Sequence, residues 1–451
     1  MRSFSTLAAL LAVVQAAPAN SGTLKVNFTK RAEAPEELFS FAKVASPAAL
    51  HNHIMYYDTE VLLGTPPQKF TVTLDTGSGD LWVPEDGREG AYNPNKSSSY
   101  EYYKPGFSIF YGDGSRAQGD WVKDTVQYGG VSVSGFVFAA AKITTSPLSV
   151  FGIGYAANEA SAFQQDDKFN YDNFPARLAK DGIISTPAYS LYLDSLDSSS
   201  GSVLFGGVDT SKFSGDLAIL KTLKDQDFEK TPAEFLVTLD SVETSVGGNV
   251  TNALDKTRHV LLDSGSALTY VPPQTFQTLV NSLGLLETPV GFGTIKKHLD
   301  ELRSQKAMVN YSFQGKKIAV PVDQLFTLAQ DNQKNQYYVS EDGKGVEFYL
   351  FLVAAGSDGT DYDPATHVKF IFGDSFLRAA YVVYDLGSDV IGLGQADYSG
   401  KKGSIEPIKA GSSGIPSATP ASGTTWSVNH PITTSVTKGP QASAFTLTKG
   451  A

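Results

Sequence analysis

The chain has 451 residues and a net charge of −11, which leaves no basic footprint for nucleic acid or an anionic membrane. It contains no cysteine, which excludes disulfides, thiol catalysis and zinc sites built on cysteine. Its 27 Phe, 21 Tyr and 42 Gly, with many short Val/Thr/Tyr runs, favour an all-β fold in a chain long enough for about two domains.

Residues 1–16 are a predicted secretory signal peptide. Arg2 precedes an apolar run from Leu7 to Val14, and small residues around Ala16 provide a cleavage site. The run is too short to span a bilayer, and no other apolar stretch reaches about 18 residues. We therefore expect a secreted, extracellular protein, with the cell wall or the vacuole as alternative locations.

Residues 17–31 are polar and contain the basic pair Lys30 and Arg31. Behind a signal peptide such a pair predicts a processing site, so we interpret 17–31 as a pro-segment that extends at most to about residue 53. The alternative is two solvated charges. His51 and His53 follow without a third ligand nearby, so we predict no metal and no cofactor.

Two segments, 72–84 and 260–272, repeat one pattern around Asp75 and Asp263. In both, Leu precedes the Asp, Thr or Ser follows it, then Gly and Ser, and an aromatic-Val-Pro triplet comes soon after. Each copy predicts a strand that ends in a tight loop carrying a carboxylate. A single copy would be interpreted as an Asx turn at the end of a strand. Two copies predict two similar lobes that each contribute one carboxylate to a shared cleft.

The paired segments resemble the pepsin-like aspartic proteases, in particular the fungal secreted type of the candidapepsins and yapsins. The resemblance implies an all-β, bilobal fold of two similar lobes, 54–220 and 221–397, with the active-site cleft between them. Residues 202–209 resemble the stretch that closes the first lobe. The tail 398–451 is rich in Ser, Thr, Gly and Pro, and we predict disorder because such a composition buries little apolar surface.

The implied activity is that of a secreted aspartic endopeptidase, which hydrolyses peptide bonds at acidic pH with a water molecule activated between Asp75 and Asp263. Two carboxylates 4 Å apart repel by roughly 4 kcal/mol at an effective dielectric of about 20. They therefore share one proton over a wide acidic range, and one acts as base while the other acts as acid. The neighbouring motif residues are expected to support the pair through hydrogen bonds and close turns: Thr76, Gly77, Ser78, Ser264, Gly265 and Ser266.

Within this set, Ser78 and Ser266 are expected to donate to the outer carboxylate oxygens. Thr76 and Ser264 are expected to hydrogen-bond across the lobe interface. Many relatives carry a hydroxyl residue where this chain has Ala267, so we expect slightly fewer hydrogen bonds around Asp263.

Residues 107–115 read as a β-hairpin with a glycine-rich tip and are similar to the family's mobile flap. Tyr111 stands at the flap-tyrosine position, followed by Gly112 and Asp113, and Trp82 is expected to anchor Tyr111 by a hydrogen bond. Tyr111 and Trp82 as ordinary core or rim aromatics are the alternative.

Asp113 suggests a specificity. A carboxylate over the primary pocket predicts acceptance of Lys or Arg before the scissile bond, beside a broad preference for apolar residues. The alternative is that Asp113 supports the hairpin turn and points to solvent.

Two further segments, 151–154 and 370–373, are apolar runs that end in glycine. In the family these runs lie beside the catalytic loops, so Gly154 and Gly373 are expected to support them. Amphipathic helices are predicted only at about 173–180 and 273–283.

Sequons at Asn27, Asn95, Asn249 and Asn310 permit glycosylation. Asn95 and Asn249, in polar and turn-rich surroundings, are the better candidates. The expected partners are protein and peptide substrates and statine-type inhibitors. We expect no nucleic acid, no stable membrane anchor and a monomer.

Three other classes of protein remain as alternatives. A catalytically silent pepsin-like fold would bind peptides without cleaving them, but both Asp-Thr/Ser-Gly-Ser segments are intact here. A structural protein of the cell wall would explain the signal peptide and the tail, but not the duplicated motif. A glycosidase can also use two carboxylates, but it does not require matched loops on a duplicated frame.

Overall fold

The computed structural model describes residues 22–31, 56–164, 168–198, 200–224, 231–330, 335–341, 344–356, 370–425, 443–444 and 447–449. The predicted signal peptide, residues 17–21 of the predicted pro-segment and residues 32–55 lie outside the described residues. No helix among the described residues is long and apolar enough to cross a membrane.

Strands dominate the first half of the chain: β1 (Leu24–Arg31), β2 (Tyr56–Leu63), β3 (Gln68–Asp75), β4 (Leu81–Pro84), β5 (Glu101–Phe110), β6 (Arg116–Tyr128), β7 (Val131–Thr144), β8 (Ser149–Gly152), β9 (Ala188–Tyr192), β10 (Ser200–Phe205), β11 (Gly207–Asp209) and β12 (Phe213–Lys221).

The second half adds β13 (Leu236–Leu239), β14 (Ser241–Val246), β15 (Asn249–Asn252), β16 (Arg258–Leu262), β17 (Thr269–Val271), β18 (Leu286–Thr288), β19 (Gly291–Ile295), β20 (Met308–Phe313), β21 (Lys316–Pro321), β22 (Phe326–Leu328), β23 (Tyr337–Glu341), β24 (Lys344–Phe351), β25 (Val353–Ala355), β26 (Phe370–Phe372), β27 (Ala380–Asp385) and β28 (Val390–Ala396). Short strands follow in the tail: β29 (Ile405–Pro407), β30 (Ala418–Pro420), β31 (Ser443–Ala444) and β32 (Leu447–Lys449). The helices are α1 (Phe174–Lys180), α2 (Pro273–Ser282), α3 (Lys296–Ser304) and the single turn α4 (Asp374–Leu377).

The same strand arrangement occurs once in each half of the chain. In the first half, β3 pairs in parallel with β8, which pairs antiparallel with β4. In the second half, β16 pairs in parallel with β26, which pairs antiparallel with β17. The loops that carry the two Asp residues therefore lie between equivalent strands in the two halves. The segments that end in Gly154 and Gly373 run beside these loops.

One sheet joins the two halves. Its strand order β30-β12-β28-β27-β9-β10-β1-β2-β3-β8-β4-β7-β6-β5 places β27 and β28 next to β9 and β12. The other strands of the second half build separate sheets, including β13-β16-β26-β17-β25. Alternation on β3 buries Phe70, Val72 and Leu74 to 5%, 1% and 1% exposure, which fixes the register that brings Asp75 to the end of the strand.

The two predicted helices are present as α1 and α2, within one residue of their expected ends. The prediction that they are the only helices is wrong, because α3 and the turn α4 also form. Helix α3 has only two apolar residues, Leu299 and Leu302, which are three positions apart and nearly fully buried. Asp300 pairs with Lys296 at 2.7 Å and with Arg303 at 2.8 Å on the exposed side of α3.

The predicted disorder of the tail is wrong for residues 398–425. Strand β29 pairs with β11, and β30 pairs in parallel with β12. Ile408 and Ile415 are 0% and 3% exposed and pack against an apolar face that includes Phe213 and Tyr381. Few apolar residues are sufficient here because the tail completes an apolar core that residues before it already form. Each buried Ile contributes about 1.5–3 kcal/mol to the free energy of unfolding.

Candidate active site

Asp75 is the last residue of β3, and Asp263 follows the end of β16. Both side chains are largely buried, with exposures of 6% and 8%. The parallel partner of each strand runs beside it to this point, since β8 pairs with β3 as far as Asp75 and β26 pairs with β16 as far as Leu262. The two carboxylates thus occupy equivalent positions in the two halves.

Hydrogen bonds fix the orientation of the Asp75 carboxylate. Its Oδ1 accepts a hydrogen bond from the Gly77 N–H at 2.7 Å, and its Oδ2 accepts one from the Ser78 hydroxyl. The two donors thus hold the two oxygens of this carboxyl group in one orientation.

Asp263 has the same pair of donors. Its Oδ1 accepts from the Gly265 N–H at 2.8 Å and its Oδ2 from the Ser266 hydroxyl at 2.9 Å. Burial, the charge of Asp75 and a hydrogen bond to Asp75 nevertheless together raise the pKa of Asp263 to about 8. The pair of carboxyl groups therefore retains one proton through the acidic range.

The two glycines show how close the carboxylates are. A Cβ placed on Gly265 would lie 2.5 Å from Oδ1 of Asp75 and 3.1 Å from Oδ1 of Asp263. A Cβ on Gly77 would lie 2.7 Å from Oδ1 of Asp263. Each loop therefore approaches the carboxylate of the other half so closely that a methyl group would not fit between them.

Thr76 and Ser264 form a hydrogen-bonded link between the halves. The Thr76 N–H donates to Ser264 Oγ at 3.2 Å, and the Ser264 N–H donates to Thr76 Oγ1 at 3.0 Å. The two hydroxyl groups donate onward, Thr76 to the Leu262 carbonyl at 3.0 Å and Ser264 to the Leu74 carbonyl at 2.8 Å. This reciprocal set holds the two loops in register with each other.

The hairpin of β5 and β6 carries the predicted flap, with its tip at residues 111–115. The indole N–H of Trp82 donates to the Tyr111 hydroxyl at 2.6 Å. At the tip, Oδ1 of Asp113 accepts from the Ser115 N–H at 2.7 Å, so Asp113 does support the turn. Burial raises the pKa of Tyr56 and of Tyr270, and the charge of Asp113 is the next largest cause for each. Asp113 therefore serves the turn and also faces two tyrosines.

Residues 56–396 match the family model described as "Eukaryotic aspartyl protease". The match includes both Asp loops and the flap hairpin. The chain belongs to this family. It is therefore an aspartic-type endopeptidase, a hydrolase that acts on peptide bonds.

Curated relatives agree with this assignment. An acid protease from Saccharomycopsis fibuligera is 38% identical over 357 residues, which cover 78% of this chain and 83% of the relative. A probable aspartic-type endopeptidase opsB from Aspergillus oryzae is 34% identical over 406 residues, which cover 86% of this chain and 77% of the relative. Secreted aspartic protease 3 from Candida albicans is 34% identical, with coverage of 78% and 82%.

A solved structure supports the fold. The aspartic proteinase from Irpex lacteus matches with a TM-score of 0.61 at 18% identity, over 83% of this chain and 98% of that chain. The prediction of an all-β, bilobal, pepsin-like fold is thus confirmed.

Gly154 and Gly373 of this protease lie in direct contact with the two Asp loops. A Cβ on Gly154 would lie 2.8 Å from the carbonyl oxygens of Thr76 and Ser78. A Cβ on Gly373 would lie 2.2 Å from the carbonyl oxygen of Ser266. Both positions therefore exclude a side chain, which lets the supporting segments approach the loops.

Sequence reasoning missed a second support of the first loop. The side-chain amide of Asn158 donates to the Gly77 carbonyl at 2.9 Å, and that of Asn173 donates to the Gly154 carbonyl at 2.5 Å. Asn158 ends a short 3₁₀ helix after β8 and Asn173 is the N-cap of α1, and neither belongs to a repeated motif. Only their closeness to the segment that ends in Gly154 could have indicated them.

Other predicted sites lie away from the cleft. Asn95 and Asn249 are exposed, whereas Asn310 is only 8% exposed in β20, which is paired on both sides. A glycan on Asn310 does not fit this fold, so that prediction is corrected. Within the described ranges, no group of three or more His, Cys, Asp or Glu residues could hold a metal ion.

Proposed function

We propose that this protease is a secreted enzyme that cleaves peptide bonds at acidic pH by means of a water molecule held between Asp75 and Asp263. The observation that carries the proposal is the meeting of two buried carboxylates with matching donors, one of which has a raised pKa. A pair with one shared proton can remove a proton from water and give one to the substrate.

The proton moves in a closed cycle. The ionised carboxyl group takes a proton from water as the water oxygen attacks the peptide carbonyl carbon, and the protonated one gives its proton to the carbonyl oxygen. The tetrahedral intermediate then collapses and the C–N bond breaks, as the carboxyl group that took the water proton gives it to the leaving nitrogen. A hydroxyl proton of the intermediate passes to the other carboxylate, which leaves one proton on the pair as at the start. The titration belongs to the pair, so neither residue has a fixed assignment as acid or base.

The supporting residues have separate proposed roles. Ser78 and Ser266 hold the outer oxygens, while Thr76 and Ser264 keep the loops together. Tyr111, fixed by Trp82, would close over the bound peptide. These roles follow from the contacts described above and depend on the water position proposed here.

Hydrolysis of a denatured protein at about pH 4 tests the function, because at that pH the pair is expected to hold one proton. We expect cleavage that a statine-type inhibitor blocks, since such inhibitors mimic the tetrahedral intermediate. Peptide binding without any cleavage would instead indicate the silent member of the fold, and cleavage unaffected by the inhibitor would contradict the mechanism.

We further propose that Asp113 allows Lys or Arg before the scissile bond, in addition to Phe, Leu or Tyr. Only one of its oxygens is engaged by the turn, through the Ser115 N–H. Burial raises the pKa of Tyr270, and the charges of Asp113 and Asp263 raise it as well, so Tyr270 lies within electrostatic reach of both carboxyl groups. A cationic side chain in the cleft would meet a partly buried carboxylate.

Substrates that differ only by Lys or Leu at this position test the specificity. We expect Asp113→Ala to lower kcat/KM for Lys by about tenfold or more and to change that for Leu much less, since a charge-assisted pair is worth about 1.5–3 kcal/mol. Asp113→Asn is the matched control, because an amide oxygen can still accept from Ser115. Equal losses for both substrates in Asp113→Asn would contradict the proposal.

We also propose maturation at Lys30 and Arg31. Strand β1 pairs with β10 through residues 24–29 and with β2 through residues 29–31. The basic pair is therefore held only on the β2 side, and its release for cleavage leaves the β10 pairing intact. The position of the pair after a predicted signal peptide, and the secreted protease among the relatives, support export and processing.

N-terminal sequencing of protein from the culture medium tests this maturation. We expect a chain that begins near Ala32, and a double change Lys30→Ala and Arg31→Ala that prevents processing there. A mature start at Ala17 or beyond Tyr56, or unaltered processing of the double variant, would contradict it. Glycans at Asn95 and Asn249 and a monomeric state are proposed for the same secreted protein.

A further inference from the structure

Strands β18 and β23 stand at the two edges of one sheet in the second half of the chain. The sheet runs β18-β19-β24-β23, and each neighbouring pair is antiparallel. Apart from β31 and β32, neither β18 nor β23 has a second partner among the described strands. A free edge of this kind offers a row of backbone N–H and C=O groups to an extended peptide.

The chain covers both edges with its own last described residues. Strand β31 pairs in parallel with β18, where Ala444 stands opposite Glu287. Strand β32 pairs antiparallel with β23, where Leu447 stands opposite Val339. We refer to β31 and β32 together as the tail strands.

Strand direction shows that the tail strands close the sheet. The direction alternates along β18-β19-β24-β23, so β23 runs opposite to β18. Since β31 is parallel to β18 and β32 is antiparallel to β23, both tail strands run in the direction of β18. Three peptide steps join Ala444 to Leu447 and span at most about 11 Å. The two edges of the sheet therefore approach each other, and the tail strands fill the opening between them.

The strands of this sheet and their adjoining turns hold an apolar cluster that is separate from the main core. Its members are nearly fully buried: Val290, Ala329, Val339, Phe348 and Leu350. Val339 is 1% exposed and lies on the edge strand β23, directly opposite β32. Because a closed sheet has no free edges, the tail strands shield the backbone hydrogen bonds around this cluster from water.

The same sheet is continuous with the support of Asp263. Strand β24 leads directly into β25, which pairs in parallel with β17, the strand that follows the Asp263 loop. At this junction the Leu352 carbonyl accepts from the Thr269 N–H at 3.3 Å. Phe276 of α2 stacks on Phe351 of β24, with 6.3 Å between the ring centroids. Displacement of the tail strands is therefore expected to alter the loop of Asp263 through β24 and α2.

We propose that the opening between β18 and β23 is a binding site for an extended peptide strand, which this chain fills with its own tail strands, and that the filled site supports the Asp263 loop. Recognition takes place through backbone hydrogen bonds at the two edges, as when other peptides add a strand to a sheet. The ligand is an extended segment without proline, because proline would remove a donor. Residues 443–449 contain neither Pro nor Gly and include two Thr, which suits a strand.

A double substitution in the full-length chain tests whether the tail strands are needed. Alternate residues of an antiparallel strand donate to their partner, so Leu447→Pro with Thr448→Pro removes a backbone donor towards β23. We expect Tm to fall by about 3 °C or more and kcat to fall by about tenfold. Leu447→Ile with Thr448→Val is the matched control and should leave both values unchanged, because it keeps both N–H groups.

A free peptide of residues 443–451 tests the binding site itself. The measurements use an Asp75→Asn background, with mass spectrometry to check that the peptide stays intact. We expect the labelled peptide to bind the double variant at least about tenfold more tightly than the matched control, whose own tail fills the site. The peptide should also return the Tm of the double variant to within about 1 °C of the control. A peptide that carries the two proline substitutions should do neither.

A cross-link tests the position of the tail strands in the full-length protein. The chain has no cysteine, so only an introduced pair can form a disulfide. Tyr338 stands opposite Thr448, and opposite residues of antiparallel strands lie within disulfide range. We expect Tyr338→Cys with Thr448→Cys to give a monomer with an internal disulfide. Val250→Cys with Thr448→Cys is the control and should give none, because Val250 lies on β15 of another sheet.

Unchanged Tm and kcat in the folded double variant would overturn the inference, and so would equal binding of the peptide to this variant and its control. A lower Tm with unchanged kcat would overturn the link to the Asp263 loop. A disulfide formed only between two molecules would also overturn the inference, since neighbouring copies would then exchange their tail strands.

Should the double variant fail to fold, the cross-link decides, and absence of an internal disulfide would overturn the site. Peptide binding, Tm and the cross-link do not depend on turnover. Failure of the proposed function would therefore leave these three results unchanged and would be seen only as a wild type that cleaves no peptide at acidic pH.

Discussion

Replacement of Asp75 or Asp263 by Asn is expected to lower kcat by about 10²–10⁴-fold or more without unfolding the protein. An amide has nearly the shape of a carboxylic acid, but it cannot exchange a proton with water or substrate. Because each residue supplies half of one acid/base pair, either change should remove turnover almost completely. Single-turnover and steady-state assays at the acidic optimum would measure the loss.

The folded state of these variants can be predicted as well. Burial and the charge of Asp75 raise the pKa of Asp263, so a second negative charge in the pair is unfavourable in the fold. Asp263→Asn should therefore be at least as stable as the wild type at a pH where the pair begins to lose its last proton, as thermal unfolding would show. Asp120→Asn, a carboxylate of β6 paired with exposed Lys142, is the matched control and should keep its activity. If either dyad variant retained a tenth of wild-type activity, the shared mechanism would be wrong.

The paired sequence motif is sufficient to predict the two catalytic loops, because these depend on residues that are close together in the sequence. Asp75 and Asp263 each stand after an apolar strand, and their neighbours Thr76 and Ser264 have the hydroxyl groups that the crossed hydrogen bonds need. The alternating strands and the glycine-rich tip likewise predict the flap hairpin. In these cases the residues that carry each pattern are adjacent in the sequence, although the hydrogen bonds between Thr76 and Ser264 join distant segments.

Features that depend on distant contacts could not be predicted in the same way. Ile408 and Ile415 look like isolated apolar residues in a polar tail, and only the face near Phe213 makes them part of a core. Asn310 reads as a sequon, but its burial is set by the strands on both sides of β20.

Glu159 illustrates the same limit for charge. An acidic residue in an irregular segment normally lies in solvent. Here the turn after β8 places it behind Gly79, where it is fully buried beside Asp80. Burial and the charge of Asp80 together raise the pKa of Glu159 to about 9. This shift is a property of the tertiary structure, and no local motif indicates it.

The two glycines of the paired motif should tolerate no side chain, and Gly265→Ala is expected to lower kcat by about 10²-fold. The backbone of Gly265 does not need a left-handed conformation, so the effect is steric: the new methyl would lie 2.5 Å from Oδ1 of Asp75. One of the two groups must move, and a misplacement of about 1 Å in a catalytic group can cost this factor.

Rate measurements and thermal unfolding separate this loss from a general loss of fold. Gly345→Ala is the matched control, since its Cβ would meet Tyr338 no closer than 3.3 Å on a hairpin away from the cleft. We expect Gly265→Ala to keep a cooperative unfolding transition while kcat falls. Gly77→Ala should behave in the same way, because its new Cβ would lie 2.7 Å from Oδ1 of Asp263. Near-normal kcat in both variants would mean that the gap between the carboxylates can widen freely, which is incompatible with a water molecule held tightly between them.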